Sequence, residues 1–136
     1  MRRYLLDAGP AQDCFFHRLG LHERVAQTRR QGHRVGIGLP GLGEILGGME
    51  LSDNRDESLK IVRRTLSMFV LWPFDRAAAS EYGKIYAHLR RIGRPMQQID
   101  MQIAAIARSL GKCTVVSYDS DLSAIPGLSV EDWRSG

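Results

Sequence analysis

The chain has few cysteines and no long apolar run. Its two cysteines, Cys14 and Cys113, are too few and too far apart for a disulfide framework or a thiolate zinc site. No apolar stretch approaches the roughly 20 residues that a membrane-spanning helix needs. The short apolar segment near the N-terminus is interrupted by Asp7, so it lacks the core of a secretion signal. We therefore expect a cytoplasmic protein without membrane association, in which both cysteines are buried and unpaired.

Several enzyme motifs are also missing. No Gly-rich loop ends in Lys-Ser or Lys-Thr, and Gly36-Ile37-Gly38 does not extend to a dinucleotide-binding fingerprint. Asp7 lacks the second acid, two residues later, that the haloacid-dehalogenase pattern requires. His22-Glu23 begins like a metalloprotease helix but lacks the second histidine. The histidines show no ligand spacing, and we expect them at the surface; they are His17, His22, His33 and His88.

Positive charge is in excess. Lysine and arginine number 19 against 15 aspartates and glutamates, for a net charge of +4. Many of the basic residues occur in adjacent pairs, which are Arg2-Arg3, Arg29-Arg30, Arg63-Arg64 and Arg90-Arg91, with Arg94 near the last pair. Such patches favour a phosphate backbone. The alternative is that each pair lies on a solvated helix face.

Strand-like and helix-like segments alternate along the whole chain. Predicted strands cover 4–6, 33–39, 69–74, 115–116 and 128–130. Predicted helices cover 11–31, interrupted at Gly20, then 40–48, 55–67, 77–92 and 101–110. Alternation of this kind predicts an α/β fold with a central parallel sheet and helices on both faces. At 136 residues, we expect one domain, 1–136.

Four acidic residues lie at the edges of apolar segments. Asp7 and Asp119 each follow a predicted strand, Asp100 opens a predicted helix, and Glu44 is expected to point inward from its helix. Ligands of parallel sheets gather at the carboxyl ends of the strands. Buried carboxylates need a positive partner, and hard divalent cations prefer oxygen ligands. These four acids, with Asp121 as a possible fifth, therefore predict metal-dependent phosphodiester chemistry.

Each acid also has an ordinary structural interpretation. Acids are common at strand ends, and Asp100 could be a simple N-cap. Ser117, the residue after the fourth strand, could contact a phosphate or a metal-bound water, or could only make a turn hydrogen bond. The spacing of the acids alone does not decide between these interpretations.

Longer stretches of the chain resemble PIN-domain proteins, and most closely the VapC-like toxins of bacterial toxin–antitoxin pairs. The segments that carry this resemblance are Tyr4-Leu5-Leu6-Asp7, Gly43-Glu44-Ile45-Leu46, Ile99-Asp100 with Ile103-Ala104-Ala105, and the tail from Val115 to Trp133. The resemblance implies a single α/β/α domain and a Mg²⁺- or Mn²⁺-dependent endoribonuclease that hydrolyses RNA through metal-activated water. It also implies a tRNA or rRNA substrate, a cognate antitoxin and a homodimer.

The resemblance assigns roles to particular residues. Asp7, Glu44, Asp100 and Asp119 would be the catalytic metal ligands, and Asp121 would be a further metal ligand. We expect the RNA to be contacted by Arg90, Arg91, Arg94 and Ser117.

The chain departs from the family pattern in two places. Gly9 stands where the family usually has Asn two residues after the first aspartate. The stretch after Asp119 is one residue short, and Leu122 replaces the usual Phe. The change at Gly9 motivates an alternative, a non-catalytic module that binds an antitoxin and acts only in a complex. A phosphoacceptor receiver domain is a further alternative, but it needs a lysine at a strand end, and Lys112 precedes its strand.

Overall fold

The computed structural model describes residues 1–135 and contains one five-stranded sheet. The strands are β1 (Arg3–Leu6), β2 (Arg34–Gly38), β3 (Val70–Trp72), β4 (Cys113–Val116) and β5 (Ser129–Glu131). All neighbouring strands are parallel, in the order β3-β2-β1-β4-β5. The predicted parallel sheet is confirmed, and each predicted strand overlaps an observed one.

Within residues 1–135, six α-helices connect and cover the strands. They are α1 (Ala8–Phe15), α2 (Leu21–Arg30), α3 (Leu39–Glu50), α4 (Arg55–Thr65), α5 (Arg76–Arg91) and α6 (Gln98–Leu110). The described part of the chain also has three short 3₁₀ helices, which span Leu66–Met68, Ser120–Ala124 and Trp133–Ser135. Among the residues described, no helix combines the length and apolar character needed to cross a membrane.

Side chains that alternate along the strands build one core on each face of the sheet. Leu5 and Val115 belong to the core that α5 and α6 cover. Leu6 and Val116, the next residues along each strand, belong to the core beneath α1 to α4. This alternation follows from the two-residue period of a strand, and it produces the predicted three-layer α/β/α arrangement.

Three predicted helix boundaries were wrong. α1 begins at Ala8 rather than residue 11, because the Asp7 side chain accepts a hydrogen bond from the Ala8 amide and caps the helix directly after β1. α3 continues through Gly47 and Gly48 to Glu50. α6 begins at Gln98, which puts Asp100 in its first turn instead of at its N-cap.

Burial of the cysteines and histidines also differs in part from expectation. Cys14 is buried, whereas Cys113 is only partly buried at the start of β4. His22, His33 and His88 are half-buried rather than at the surface, whereas His17 is exposed. The Nδ1 atom of His33 accepts a hydrogen bond from the Arg2 amide at 3.0 Å, which explains its position.

β1 is the strand at which the order of the sheet changes sides. After β1, the chain adds β2 and β3 on one side, and then crosses to add β4 and β5 on the other. The carboxyl ends of β1 and β4 therefore form a topological switch point, where ligands of such sheets bind. Asp7 follows β1 at this edge, and its amide donates to the Val116 carbonyl of β4 at 2.9 Å.

Candidate active site

Asp7 is held from two sides at the switch point. Its Oδ1 accepts a hydrogen bond from the Ala8 amide at 2.9 Å, and its Oδ2 accepts one from the Ser117 hydroxyl, also at 2.9 Å. The first bond ties the carboxylate to α1, and the second ties it to the end of β4. These two hydrogen bonds therefore fix the orientation of the Asp7 carboxylate.

Ser117 extends this connection to the next acid. Its hydroxyl oxygen accepts a hydrogen bond from the Asp119 amide at 3.0 Å while donating to Asp7. Asp119 Oδ1 in turn accepts from the Asp121 amide at 2.9 Å and caps the 3₁₀ helix that follows. A short series of hydrogen bonds thus sets the positions of three acidic residues relative to one another.

Ser117 itself is 2% exposed. Its hydroxyl is enclosed and engaged by protein groups, and the contact of Ser117 with RNA stays a prediction. Its amide donates to the Glu131 carbonyl at 3.0 Å, so the residue ends the strand as the structural interpretation predicted. Ser117 is a residue that orients Asp7.

The pKa of Asp100 depends on the other acids of the site. It lies half-buried in the first turn of α6. Burial raises its pKa to about 6, and the negative charges of Asp7, Asp119 and Glu44 add to the effect. Asp7, Asp119 and Glu44 are therefore near enough to Asp100 to raise its pKa, although among the described residues no three of these four acids have ligand atoms within 4.8 Å of one another.

Glu44 differs from the sequence expectation. Its side chain is exposed on α3, so it does not point into the protein interior. Leu42 and Ile45 on the same helix are buried instead, and they set the face that packs on the sheet. Glu44 nevertheless lies near enough to raise the pKa of Asp100, so it borders the site from the solvent side.

An open cavity of about 330 Å³ lies beside the acids. Asp100, Asp119 and Asp121 line it together with residues 94–97, the connection between α5 and α6. Arg94 donates to Asp121 Oδ1 at 3.3 Å, and both side chains are exposed. The rim of this cavity therefore carries an arginine that can exchange its carboxylate partner for a phosphate.

The other predicted RNA contacts are placed differently. Arg90 lies over the Tyr86 ring at 5.5 Å and donates to its hydroxyl at 3.2 Å, and Arg91 is exposed on the same helix. Arg3 lies at the amino end of β1, whereas Asp7 follows its carboxyl end. The Arg3 guanidinium donates to the carbonyls of Leu110 and Gly111. The basic pairs therefore do not form one patch around the acids.

A search against family models matches residues 5–128 to the PIN domain. The chain belongs to the PIN-domain family. A tRNA(fMet)-specific endonuclease VapC of Salmonella typhimurium is 34% identical over 134 residues, which cover 98% of this chain and 99% of the relative. This similarity extends over the whole PIN domain.

Two solved structures share the fold of this PIN domain. A DNA-bound VapBC complex from Salmonella typhimurium contains a chain that matches with a TM-score of 0.84 and 29% identity, covering 98% of this chain and 99% of that one. VapBC2 from Rickettsia felis, bound to a promoter DNA fragment, matches with a TM-score of 0.87 and 19% identity over 95% of this chain and 97% of that one. The second likeness concerns the fold alone.

In this PIN domain, the Tyr118 ring packs against Gly9. A Cβ atom at Gly9 would lie 3.1 Å from Tyr118 Cδ2. The ring is held in place, because its hydroxyl donates to Asp13 Oδ2 at 2.6 Å and the Arg134 guanidinium lies 4.1 Å from the ring centroid. Burial and the Asp13 hydrogen bond raise the pKa of Tyr118. The space beside Gly9, where the family usually has Asn, is therefore bounded by an anchored aromatic ring.

The acids of this PIN domain suit a divalent cation. They offer carboxylate oxygens, which are the donors that Mg²⁺ and Mn²⁺ prefer. Their mutual repulsion raises the pKa of Asp100, and a cation would offset that repulsion. Within residues 1–135, none of the ion pairs involves Asp7, Glu44, Asp100 or Asp119, so the protein itself does not neutralise them.

Proposed function

We propose that this PIN domain is a metal-dependent endoribonuclease and the toxin of a toxin–antitoxin pair. The observation that carries the proposal is the convergence of Asp7, Glu44 and Asp119 on the half-buried Asp100. The end-to-end similarity to a VapC endonuclease supports the same activity. We further propose that the ion is Mg²⁺ or Mn²⁺ and that the substrate is an RNA such as tRNA or rRNA.

Asp7, Glu44, Asp100 and Asp119 would hold the metal, with Asp121 as a further ligand. When bound, divalent cations supply positive charge and orientation for hydrolysis of a phosphodiester. The protein's contribution is to fix the acids in advance. Ser117 sets Asp7 and the Asp119 amide relative to each other through its two hydrogen bonds.

Arg94 is the proposed phosphate contact nearest the acids. Its guanidinium is 3.3 Å from Asp121 at the rim of the cavity, and more than half of its side chain is exposed. Arg90 and Arg91 continue the basic surface along the last turn of α5. An RNA backbone lying across this rim would meet Arg94 beside the acids, with Arg90 and Arg91 on the helix that leads to it.

Partners are proposed from the related complexes. The solved relatives are VapBC assemblies. By analogy, this chain would bind a cognate antitoxin and form a homodimer.

Cleavage of purified total RNA tests the proposed activity. The wild-type protein, Asp7→Asn and a matched control, Asp53→Asn, are incubated with Mg²⁺, with Mn²⁺ or with EDTA. Asp53 is an exposed aspartate between α3 and α4, so the same change there leaves the acidic site intact. We expect discrete fragments with 5′-phosphate and 3′-hydroxyl ends from the wild type and the control, and none from Asp7→Asn or in EDTA.

Two results would contradict the proposal. One is full metal-dependent cleavage by Asp7→Asn. The other is a folded wild type that cuts no RNA with either metal, which would favour the non-catalytic, antitoxin-binding module and direct attention to Gly9.

A further inference from the structure

Three potential metal ligands lie together away from the acidic site. One ligand atom from each of His17, His22 and Glu23 falls within 4.8 Å of the others. Among the residues that the structure describes, this is the one group of three or more His, Cys, Asp or Glu side chains that meets so closely. The two imidazole rings are stacked, with centroids 3.9 Å apart and planes 20° from parallel, so one ring has to rotate for both to direct a nitrogen lone pair at a shared ion.

The backbone between α1 and α2 creates this arrangement. His17, Leu19 and Gly20 have φ values of 54°, 55° and 70°, in the left-handed region that residues with side chains seldom occupy. Main-chain hydrogen bonds hold the connection, including one from the Arg18 amide to the Asp13 carbonyl at 2.7 Å. The turn thus folds His17 back over the first turn of α2. In a continuous helix, His17 and His22 would not face each other, because side chains that meet on a helix are three or four positions apart.

The donor set differs in kind from that of the acidic site. Two imidazole nitrogens with one carboxylate are typical ligands of Zn²⁺, Co²⁺, Ni²⁺ and Cu²⁺, whereas Mg²⁺ selects oxygen donors. Glu23 lies in the first turn of α2, where its negative charge offsets the positive end of the helix dipole. The neighbouring Arg18 guanidinium is directed to Asp13, with 2.8 Å between Nε and Oδ1.

We propose that His17, His22 and Glu23 form a second metal site, selective for a transition-metal ion such as Zn²⁺. The ion would join the end of α1 to the start of α2. α1 has eight residues, so its far end lies about 12 Å from the Asp7 cap at a rise of about 1.5 Å per residue. The site is therefore separate from the acids and does not depend on the proposed nuclease activity. An ion bound only by the folded chain stabilises it by mass action.

Titration with Co²⁺ tests the site on the full chain without any histidine tag. Excess Mg²⁺ is present to occupy the oxygen ligands, and an increase in visible d–d absorption above that of aqueous Co²⁺ reports binding at a site of lower coordination number. The variants are His17→Asn, which removes the imidazole but tolerates the left-handed backbone, His22→Ala and Glu23→Gln. His88→Ala on α5 is the matched control, because His88 lies outside the cluster.

We expect one Co²⁺ per chain, displaced by Zn²⁺, with equal affinity in the wild type and His88→Ala. Each histidine variant should bind at least about tenfold more weakly, and Glu23→Gln should also weaken binding. Zn²⁺ should raise the thermal unfolding temperature of the wild type but not of His17→Asn or His22→Ala. Unfolding of each variant in EDTA establishes that it is folded before the titration is interpreted.

Equal Co²⁺ binding by the wild type and both folded histidine variants would overturn the proposal. So would the absence of an increase in d–d absorption in the wild type, or an increase that disappears as Mg²⁺ is raised and persists in the histidine variants. The last result would assign the ion to the acidic site instead.

Discussion

Asp100 connects stability, pH and metal binding at a single residue. Its pKa of about 6 stands above the ordinary value of 3.8 because burial and three neighbouring acids disfavour its charge. Between these two pH values the native state binds more protons than the unfolded state. Stability without metal should therefore fall as pH rises from about 4 to 6 and remain lower above that range.

Asp100→Asn should stabilise the metal-free protein at pH 7 while abolishing RNA cleavage. Removing the charge relieves the repulsion, and the expected gain is about 1 to 2 kcal/mol after allowing for partial solvent exposure. The gain should disappear near pH 3.5, where the wild-type carboxyl is protonated. Denaturant unfolding of both proteins at the two pH values measures it, and Asp53→Asn serves as the control. A variant less stable than the wild type at pH 7 would contradict this account.

Ser117→Ala should lower cleavage by about ten- to a hundredfold, because the variant loses a group that orients a proposed metal ligand. The change releases Asp7 Oδ2 and leaves the Asp119 amide without its hydrogen-bond acceptor. The metal concentration for half-maximal activity should rise, which a loss of stability alone would not cause. Ser123→Ala, at an exposed position in the nearby 3₁₀ helix, is the matched control and should leave both quantities unchanged.

Gly9 and Tyr118 should be energetically coupled. A Cβ atom at Gly9 would approach Tyr118 Cδ2 to 3.1 Å, and Asp13 and Arg134 prevent the ring from moving away freely. Gly9→Ala should thus lower the free energy of unfolding more in the wild-type background than in the Tyr118→Ala background, by about 1 kcal/mol. A double-mutant cycle of unfolding free energies measures this difference. Additive changes in unfolding free energy would contradict the coupling and would show that the Tyr118 ring moves to make room for a side chain at position 9.

At the scale of the elements, α3 shows that a local helix-ending signal can be overridden. Gly47-Gly48 predicted its end because glycine commonly follows a helix in the left-handed conformation. The left-handed glycines are elsewhere, at Gly20, Gly32, Gly93, Gly111 and Gly127. Leu42 and Ile45 anchor α3 in the core, and the helix continues two residues beyond the glycines to Glu50.

Gly47→Ala and Gly48→Ala should each stabilise the protein by about 0.5 to 1 kcal/mol, because alanine reduces the entropy lost when a helix forms. A Cβ atom at either position meets nothing within 4 Å. Gly36→Ala is the contrasting variant, since its Cβ would lie 2.5 Å from the Val70 carbonyl oxygen and should destabilise the sheet. Thermal unfolding of the three variants measures the effects, and a loss of stability in both helix variants would contradict them.

Across the whole molecule, positive charge is divided between two sides of the sheet, the side where the strands begin and the side where they end. Arg3 and Arg34 pair in register at the starts of β1 and β2, whereas Arg94 lies at the rim of the acidic cavity beyond the strand ends. Arg30 ends α2, just before β2 begins, and so belongs with the side where the strands begin. Net charge alone therefore does not identify which arginines face the RNA.

Arg94→Ala should weaken RNA binding several-fold and reduce the slope of log affinity against log salt by about one. Arg30→Ala, an exposed arginine on the side where the strands begin, should change neither. Both changes are made in the Asp7→Asn background so that binding is measured without cleavage, by fluorescence anisotropy over a series of salt concentrations. Equal losses from both variants would indicate binding through overall charge instead of the cavity rim.

Local patterns along the chain determined much of this protein. The alternation of apolar segments was enough to predict five parallel strands with helices on both faces, because hydrophobic period and turn residues act over short distances. The same patterns put Asp7 and Asp119 at the carboxyl edge of the sheet. Tertiary structure decided the contacts between distant residues. Ser117 reaches Asp7 across 110 positions, Tyr118 reaches Asp13 across 105, and a left-handed turn stacks His17 on His22. No local signal encodes such contacts, because they depend on strand order, register and backbone direction, which only the packed fold defines.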